Sequence, residues 1–284
     1  MKETELQWKS TDGHRLYVKI WEPEVPPNVV VSLVHGLGDH INRFNRLAKD
    51  FVGEGFAVTG FDLYGHGRSE GKRGHCSSYE VLLDDVGLLV QKTFERYPDI
   101  PQVLFGQSFG GTLVINHALR YQEKPNCIIA SSPWLRLAMK VPEVKLLIAK
   151  AMKRLLPGLI QPSGLNPENL CADGEVVKRY CEDPLVHDRI SLRLGYCAIE
   201  NGQWAIENAG KLELPLLLMH GDQDKITSHD ASKEFAENSK KHTTLKIWEG
   251  MHHELRNDPD QNRVFQFLMN WIRIYTEKEE FREF

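Results

Sequence analysis

In this chain a serine flanked by small residues, a pair of aspartates and a pair of histidines each follow a short apolar run. Ser108 lies in Gly106-Gln107-Ser108-Phe109-Gly110-Gly111, directly after Val103-Leu104-Phe105. The G-x-S-x-G spacing fits a sharp strand-to-helix turn. Small residues two before and two after let the backbones pass closely, and the hydroxyl is presented at a helix N-terminus. There the helix N–H groups and dipole favour developing negative charge. A serine hydroxyl is a poor nucleophile until a base takes its proton, which requires a histidine oriented by a carboxylate. The chain order expected for a serine on such a turn is Ser, then Asp or Glu, then His. His220-Gly221-Asp222-Gln223-Asp224 follows the apolar run 216–219, and either aspartate could orient a base. Glu249-Gly250-Met251-His252-His253-Glu254 follows the run 246–248, so the imidazole pair also sits just past a strand end.

A fourth segment, His35-Gly36-Leu37-Gly38-Asp39-His40, follows VVVSLV at 29–34. A glycine-flanked loop there can turn a backbone N–H toward a substrate carbonyl oxygen, and the N–H of Phe109 supplies a second donor. His35 itself is expected to hold the loop by hydrogen bonding. Other chemistries find little support. YGHGRSEG at 64–71 lacks the spacing of a phosphate-cradling loop. No HExxH occurs and no His/Cys/Asp cluster has metal-ligand spacing, so neither metal nor cofactor is expected. Aromatic residues make up 9% and are not interleaved with basic ones, so nucleic acid is not an expected partner.

These groups need a sheet to position them. Two β-like runs, 6–9 and 15–21, flank the turn Thr11-Asp12-Gly13-His14 and read as an N-terminal hairpin. Strand-like runs at 29–34, 57–62, 102–105 and 127–131 then alternate with helical patterns at 44–53, 79–97 and 108–121. Such alternation implies an α/β fold with a mostly parallel, doubly wound sheet. From 134 to about 194 there are helical segments and loops but no convincing strand. The pattern resumes with a strand at 216–220, a helix at 230–241, a strand at 245–248 and a helix at 261–276. The organisation is therefore a core of 1–132 and 201–284 with a helical insertion at 133–200. Ligand sites in such sheets lie at the carboxyl ends of the strands, where the insertion leaves, so it should hang over the site.

Within the insertion, 142–156 has helical periodicity. Val144, Leu147, Ile148, Ala151, Met152 and Leu155 share one face, and Lys145, Lys150, Lys153 and Arg154 lie away from its centre. Such a helix either packs on the core or turns its apolar side to an acyl chain or a membrane.

The chain has 284 residues, 41% hydrophobic and 26% charged, with a net charge of −4. That is enough to bury a large core, and it gives no global attraction to polyanions. Five cysteines stand at 76, 127, 171, 181 and 197 without a C-x-x-C pair. They read as free thiols of a reducing compartment. No apolar signal core opens the chain, and no stretch approaches the ~18 apolar residues of a membrane span. The expectation is a soluble, cytoplasmic protein whose membrane contact would be peripheral.

HGLGDHINRF (35–44), FDLYGHGRSEGKRG (61–74), FGQSFGG (105–111), EDPLVHDRIS (182–191), HGDQDKIT (220–227) and LKIWEGMHHEL (245–255) are together similar to the α/β-hydrolase superfamily, in its monoacylglycerol lipase and lysophospholipase branch. The resemblance spans nearly the whole chain. It implies an α/β-hydrolase core with a helical cap, a serine esterase mechanism and a single-chain lipid ester as substrate. The family pattern H-G-x-x-D ends on the triad acid, which implies Asp224, and G-x-x-H-E implies His253 as the base. The family's oxyanion hole maps onto the N–H groups of Leu37 and Phe109. Its head-group pocket maps onto Asp39 and Arg43, and Arg256 stands where the animal enzymes carry a histidine. That guanidinium could favour an anionic head group, or be paired with Asp39 or Glu254 and be electrically silent. The resemblance favours an acyl-guiding role for Leu147, Ile148 and Ala151 of the cap. A lysophospholipase or a broad carboxylesterase is the nearest alternative. A binding protein that kept the fold and lost catalysis is the alternative from another class, and a dehalogenase would need an aspartate in place of Ser108.

Overall fold

The computed structural model describes residues 1–121, 125–139, 150 and 155–276. Strands β1 (Lys2–Lys9), β2 (Arg15–Glu22), β3 (Val29–Val34), β4 (Phe56–Phe61), β5 (Gln102–Gln107) and β6 (Cys127–Ser131) come first. After β7 (Ile160–Pro162) and β8 (Arg189–Ser191) follow β9 (Leu216–Gly221) and β10 (Thr243–Trp248). Eight of them form one sheet in the order β1-β2-β4-β3-β5-β6-β9-β10. β2 runs antiparallel to β1 and β4, and the remaining pairs are parallel. The expected hairpin and the doubly wound parallel core are both present.

Every residue of β3, β4, β5, β6 and β9 is buried, because helices cover both faces. Along β3, Val29, Val31 and Leu33 face the layer of α1 (Asn45–Gly53) and α7 (Gln261–Thr276), while Val34 faces the opposite one. That opposite layer holds α2 (Tyr79–Arg96), α3 (Phe109–Arg120), α5 (Leu192–Asn208) and α6 (His229–Ser239). The edge strand β1 is mostly exposed and carries Lys2, Glu3, Glu5 and Lys9, charges that discourage edge-to-edge pairing.

The segment between β6 and β9 departs from expectation in one respect. It contains a strand pair after all: β7 and β8 form an antiparallel ribbon with Ile160 opposite Ser191. Each strand has only three residues, too few for a period to register. The same segment carries α4 (Gly174–Glu182), capped by Asp173, which accepts from the Glu175 amide at 2.9 Å. Leu170, Cys171, Val176 and Tyr180 make a small core of their own. Helix α5 runs unbroken across residue 200, and its Leu194, Ala198, Ala205 and Ile206 join the main core. Leu147, Ile148, Ala151 and most of the amphipathic stretch 142–156 lie outside the described residues.

Candidate active site

β5 ends and α3 begins around Ser108, whose φ of 57° and ψ of −120° lie where non-glycine residues are strained. The flanking glycines explain themselves by contact. A Cβ on Gly106 would lie 2.3 Å from the Gly110 carbonyl oxygen, and one on Gly110 would lie 2.3 Å from that of Val34. Side chains there would force α3 away from the sheet. The Ser108 N–H donates to Ser131 O at 2.9 Å, which fixes the turn to β6.

The loop after β3 passes close by: a Cβ on Gly36 would stand 3.0 Å from the Ser108 Cβ. His35 is fully buried and holds this loop. Its Nδ1 donates to Gly36 O at 2.8 Å and its Nε2 accepts from the Leu63 N–H at 2.9 Å. Leu37 and Ser108 line one pocket together with His253, Asp39, Arg43 and Glu254. Phe109 is the first residue of α3, where a helix has no acceptor of its own for an N–H. Leu165, Leu170 and Tyr180 close the pocket from the segment between β6 and β9.

Asp224 follows β9 and His253 follows β10, at the carboxyl ends of neighbouring parallel strands. Their side chains are buried, and His253 Nδ1 lies 2.6 Å from Asp224 Oδ2. The turn after β9 aims the carboxylate, since the amides of Ile226 and Thr227 donate to Oδ1 at 2.8 and 3.0 Å. The Thr227 hydroxyl donates to Oδ2 at 2.8 Å. Burial, the largest influence, would raise this carboxyl. The imidazoles of His253 and His220 outweigh it and hold the group well below the usual carboxylate range. Asp222 acts elsewhere, since its Oδ1 accepts from the Gly250 N–H at 2.8 Å and braces the loop that carries the histidines. His252 is half-buried, and its Nδ1 has no partner among the described residues.

Asp39, Arg43, Glu254 and Arg256 form a closed quartet whose side chains are only 2–10% exposed. Arg43 reaches Asp39 at 3.0 Å and grips both Glu254 oxygens at 3.1 and 3.2 Å. The Nη2 of Arg256 donates to Asp39 at 3.2 Å and to Glu254 at 3.1 Å, and its guanidinium lies 3.9 Å from the centre of the Phe44 ring. The paired alternative is therefore the arrangement found for Arg256. Unlike its three partners, it is not among the residues lining the Ser108 pocket.

Burial would raise both carboxyls of the quartet, but the two guanidinium groups hold them below their ordinary values. The native state therefore binds fewer protons than the unfolded chain in acid. The quartet's contribution is complete above the unfolded carboxyl range of about 4 and is lost as the pH falls below it. Glu254→Gln strips one charge and leaves two guanidinium groups facing Asp39 alone. Urea unfolding at neutral pH should show a loss of about 3 kcal/mol, and less at pH 3. An equal loss at both pH values would deny the quartet this role.

The spacing of residues does not single out Thr227, His220, Leu165, Leu170 or Tyr180. Only the position of His220 two residues before Asp222, inside the motif at 220–224, was a signal.

Residues 25–260 match the family described as serine aminopeptidase, S33. The chain belongs to that family. An uncharacterised abhydrolase domain-containing protein of Dictyostelium discoideum is 35% identical to this S33 chain over 95% of it, and the chain spans 29% of that protein's length. A monoacylglycerol lipase of Mycolicibacterium smegmatis is 31% identical, with 95% of this chain and 96% of the relative covered. Among solved structures, the monoacylglycerol lipase of Paleococcus ferrophilus is 37% identical with a TM-score of 0.84, covering 92% of this chain and 99% of that one. The S33 chain thus has the α/β-hydrolase fold. Among its described residues no helix is long and apolar enough to cross a membrane.

Proposed function

We propose that the chain hydrolyses single-chain acyl esters, monoacylglycerol foremost, with Ser108 as nucleophile, His253 as general base and Asp224 orienting that base. The observation that carries this reading is the 2.6 Å contact of Asp224 with His253 Nδ1, behind a pocket lined by both His253 and Ser108. Nδ1 keeps its proton toward the carboxylate, so Nε2 is free to take one. Ser108 Oγ attacks the acyl carbonyl carbon as its proton passes to His253. The Leu37 and Phe109 amides hold the oxyanion. The tetrahedral intermediate collapses, the acyl C–O bond breaks, and His253 returns the proton to the departing glycerol oxygen. Water, deprotonated by His253, then attacks the acyl-enzyme; the Ser108 Oγ–acyl bond breaks, Oγ takes the proton back from His253, and the fatty acid leaves.

Asp39 and Arg43 form the polar end of the pocket. Their quartet carries two positive and two negative groups, so it offers donors and acceptors without net charge. That suits glycerol hydroxyls better than a phosphate, and it favours monoacylglycerol over an anionic lysophospholipid. The described residues between 133 and about 191 serve as a cap, bonded to the core at the site itself. The His187 N–H donates to Gly38 O at 3.0 Å and the Glu254 N–H to Leu170 O at 2.8 Å. Met139, Leu155, Leu156 and Leu159 of this segment are exposed, apolar side chains suited to peripheral contact with a lipid surface. The Mycolicibacterium smegmatis relative and the Paleococcus ferrophilus structure, both matched along nearly their whole length, are named as monoacylglycerol lipases, which agrees with this reading although the family's description names a peptidase.

A panel of monooleoylglycerol, lysophosphatidylcholine, lysophosphatidate, p-nitrophenyl butyrate and an aminoacyl p-nitroanilide, compared by kcat/KM, tests it. Monooleoylglycerol should lead, with lysophosphatidate at least about tenfold lower. A lead for lysophosphatidate would make Arg256 an anion-binding group, and a lead for the anilide would make the chain a peptidase.

A further inference from the structure

The acyl-transfer chemistry uses one imidazole, yet the carboxylate of Asp224 meets two. His220, next to last in β9, is fully buried. Its Nε2 lies 3.0 Å from Asp224 Oδ2, the same oxygen that His253 Nδ1 reaches at 2.6 Å. Its Nδ1 lies 2.8 Å from Ser232 Oγ on α6. An ionised carboxylate only accepts, so Nε2 carries the His220 proton and Nδ1 accepts from the Ser232 hydroxyl. Burial, the largest influence, holds this imidazole below the ordinary histidine range, so the ring stays neutral. Among the described residues, the other titratable groups facing it are His253, on the loop after β10, and His229 and Asp230 at the start of α6, with the His229 ring 6.4 Å away.

We propose that His220 is a positioning residue that tunes the catalytic base, by giving Asp224 Oδ2 a second N–H donor. This rests on the roles assigned above to Asp224 and His253. A carboxylate already served by a neutral donor has less charge to offer the imidazolium that forms on His253. The protonated form of His253 is then less favoured, and the base stays available at lower pH. His220 and Ser232 also fix the direction of Oδ2 from the sheet side, while the Ile226 and Thr227 amides fix Oδ1 from the turn. The carboxylate is thus held at both oxygens before any substrate arrives. Removing the donor should strengthen the Asp224–His253 interaction and move the acid limb of activity upward in pH.

The test is the pH profile of kcat/KM on p-nitrophenyl butyrate, which does not depend on the lipid head group. In His220→Phe, which keeps a ring and removes both nitrogens, the midpoint of the acid limb should move to higher pH by about half a unit or more. His220→Gln can return an N–H to the same oxygen and should bring the midpoint back to within about 0.2 units of wild type. Should the Phe variant fail to fold, Ser232→Ala, which releases only the far nitrogen, should shift the limb the same way by a smaller amount. A structural role alone would lower kcat/KM and leave the midpoint in place, and that result overturns the proposal. A wild-type profile without an acid limb would instead remove the Asp224–His253 reading beneath it.

Discussion

Ser108→Ala is expected to lower kcat/KM on monooleoylglycerol by about four orders of magnitude or more, with thermal unfolding within a few degrees of wild type. Removal of a serine nucleophile leaves only binding and oxyanion stabilisation, which do not open a covalent route. The folding expectation follows from the local geometry. The turn is shaped by close approaches at Gly106 and Gly110 and by the Ser108 N–H bond to Ser131, none of which involves the hydroxyl. Alanine inherits the same φ of 57° and the same strain. The reading is specific in a second way, since the neighbouring Thr112 hydroxyl lies one turn along α3 and has no base assigned to it. Activity retained within tenfold would remove Ser108 from the mechanism.

The second large effect separates two adjacent imidazoles. His253→Ala should lose activity on the scale of Ser108→Ala, while His252→Ala should keep measurable turnover. Neighbouring side chains on a loop point in different directions, and the ring held at 2.6 Å from Asp224 is that of His253. His253→Ala also leaves the buried Asp224 without one of the two imidazoles that offset its burial. That variant should therefore be less stable than Ser108→Ala by about 1–3 kcal/mol. Unfolding in urea measures the difference. An inactive His252 variant beside an active His253 variant would reverse the assignment.

How much of this was legible in the sequence depended on whether a feature is local. The strands β3, β5, β6 and β9 are short apolar runs, which burial on both faces demands, and they alternate with helical periods long enough to count. The elbow at Ser108 announces itself because its glycines answer to contacts within a few residues or with the neighbouring strand β3. The ribbon of β7 and β8 does not, since it pairs residues about thirty apart and each arm has three residues. Asp222 and Asp224 are indistinguishable by spacing from the strand. The resemblance implied Asp224, and the physical reason lies in the loop's path, with Asp222 turned to the Gly250 amide and Asp224 to the imidazoles. The state of Arg256 was equally hidden, because whether a guanidinium is free or neutralised depends on Asp39 arriving from a loop more than two hundred residues earlier. His220 stands inside the motif at 220–224, but its role is hidden until the fold buries it against the same oxygen that His253 uses.

The most direct test of the central claim is the rate and site of phosphonylation by a long-chain fluorophosphonate, followed by peptide mass mapping, with and without monooleoylglycerol. The account predicts one phosphonyl group per chain, on the peptide that contains Ser108, formed more slowly when the monoacylglycerol is present. A label on any other residue, or a Ser108 label whose rate the monoacylglycerol leaves unchanged, would contradict it.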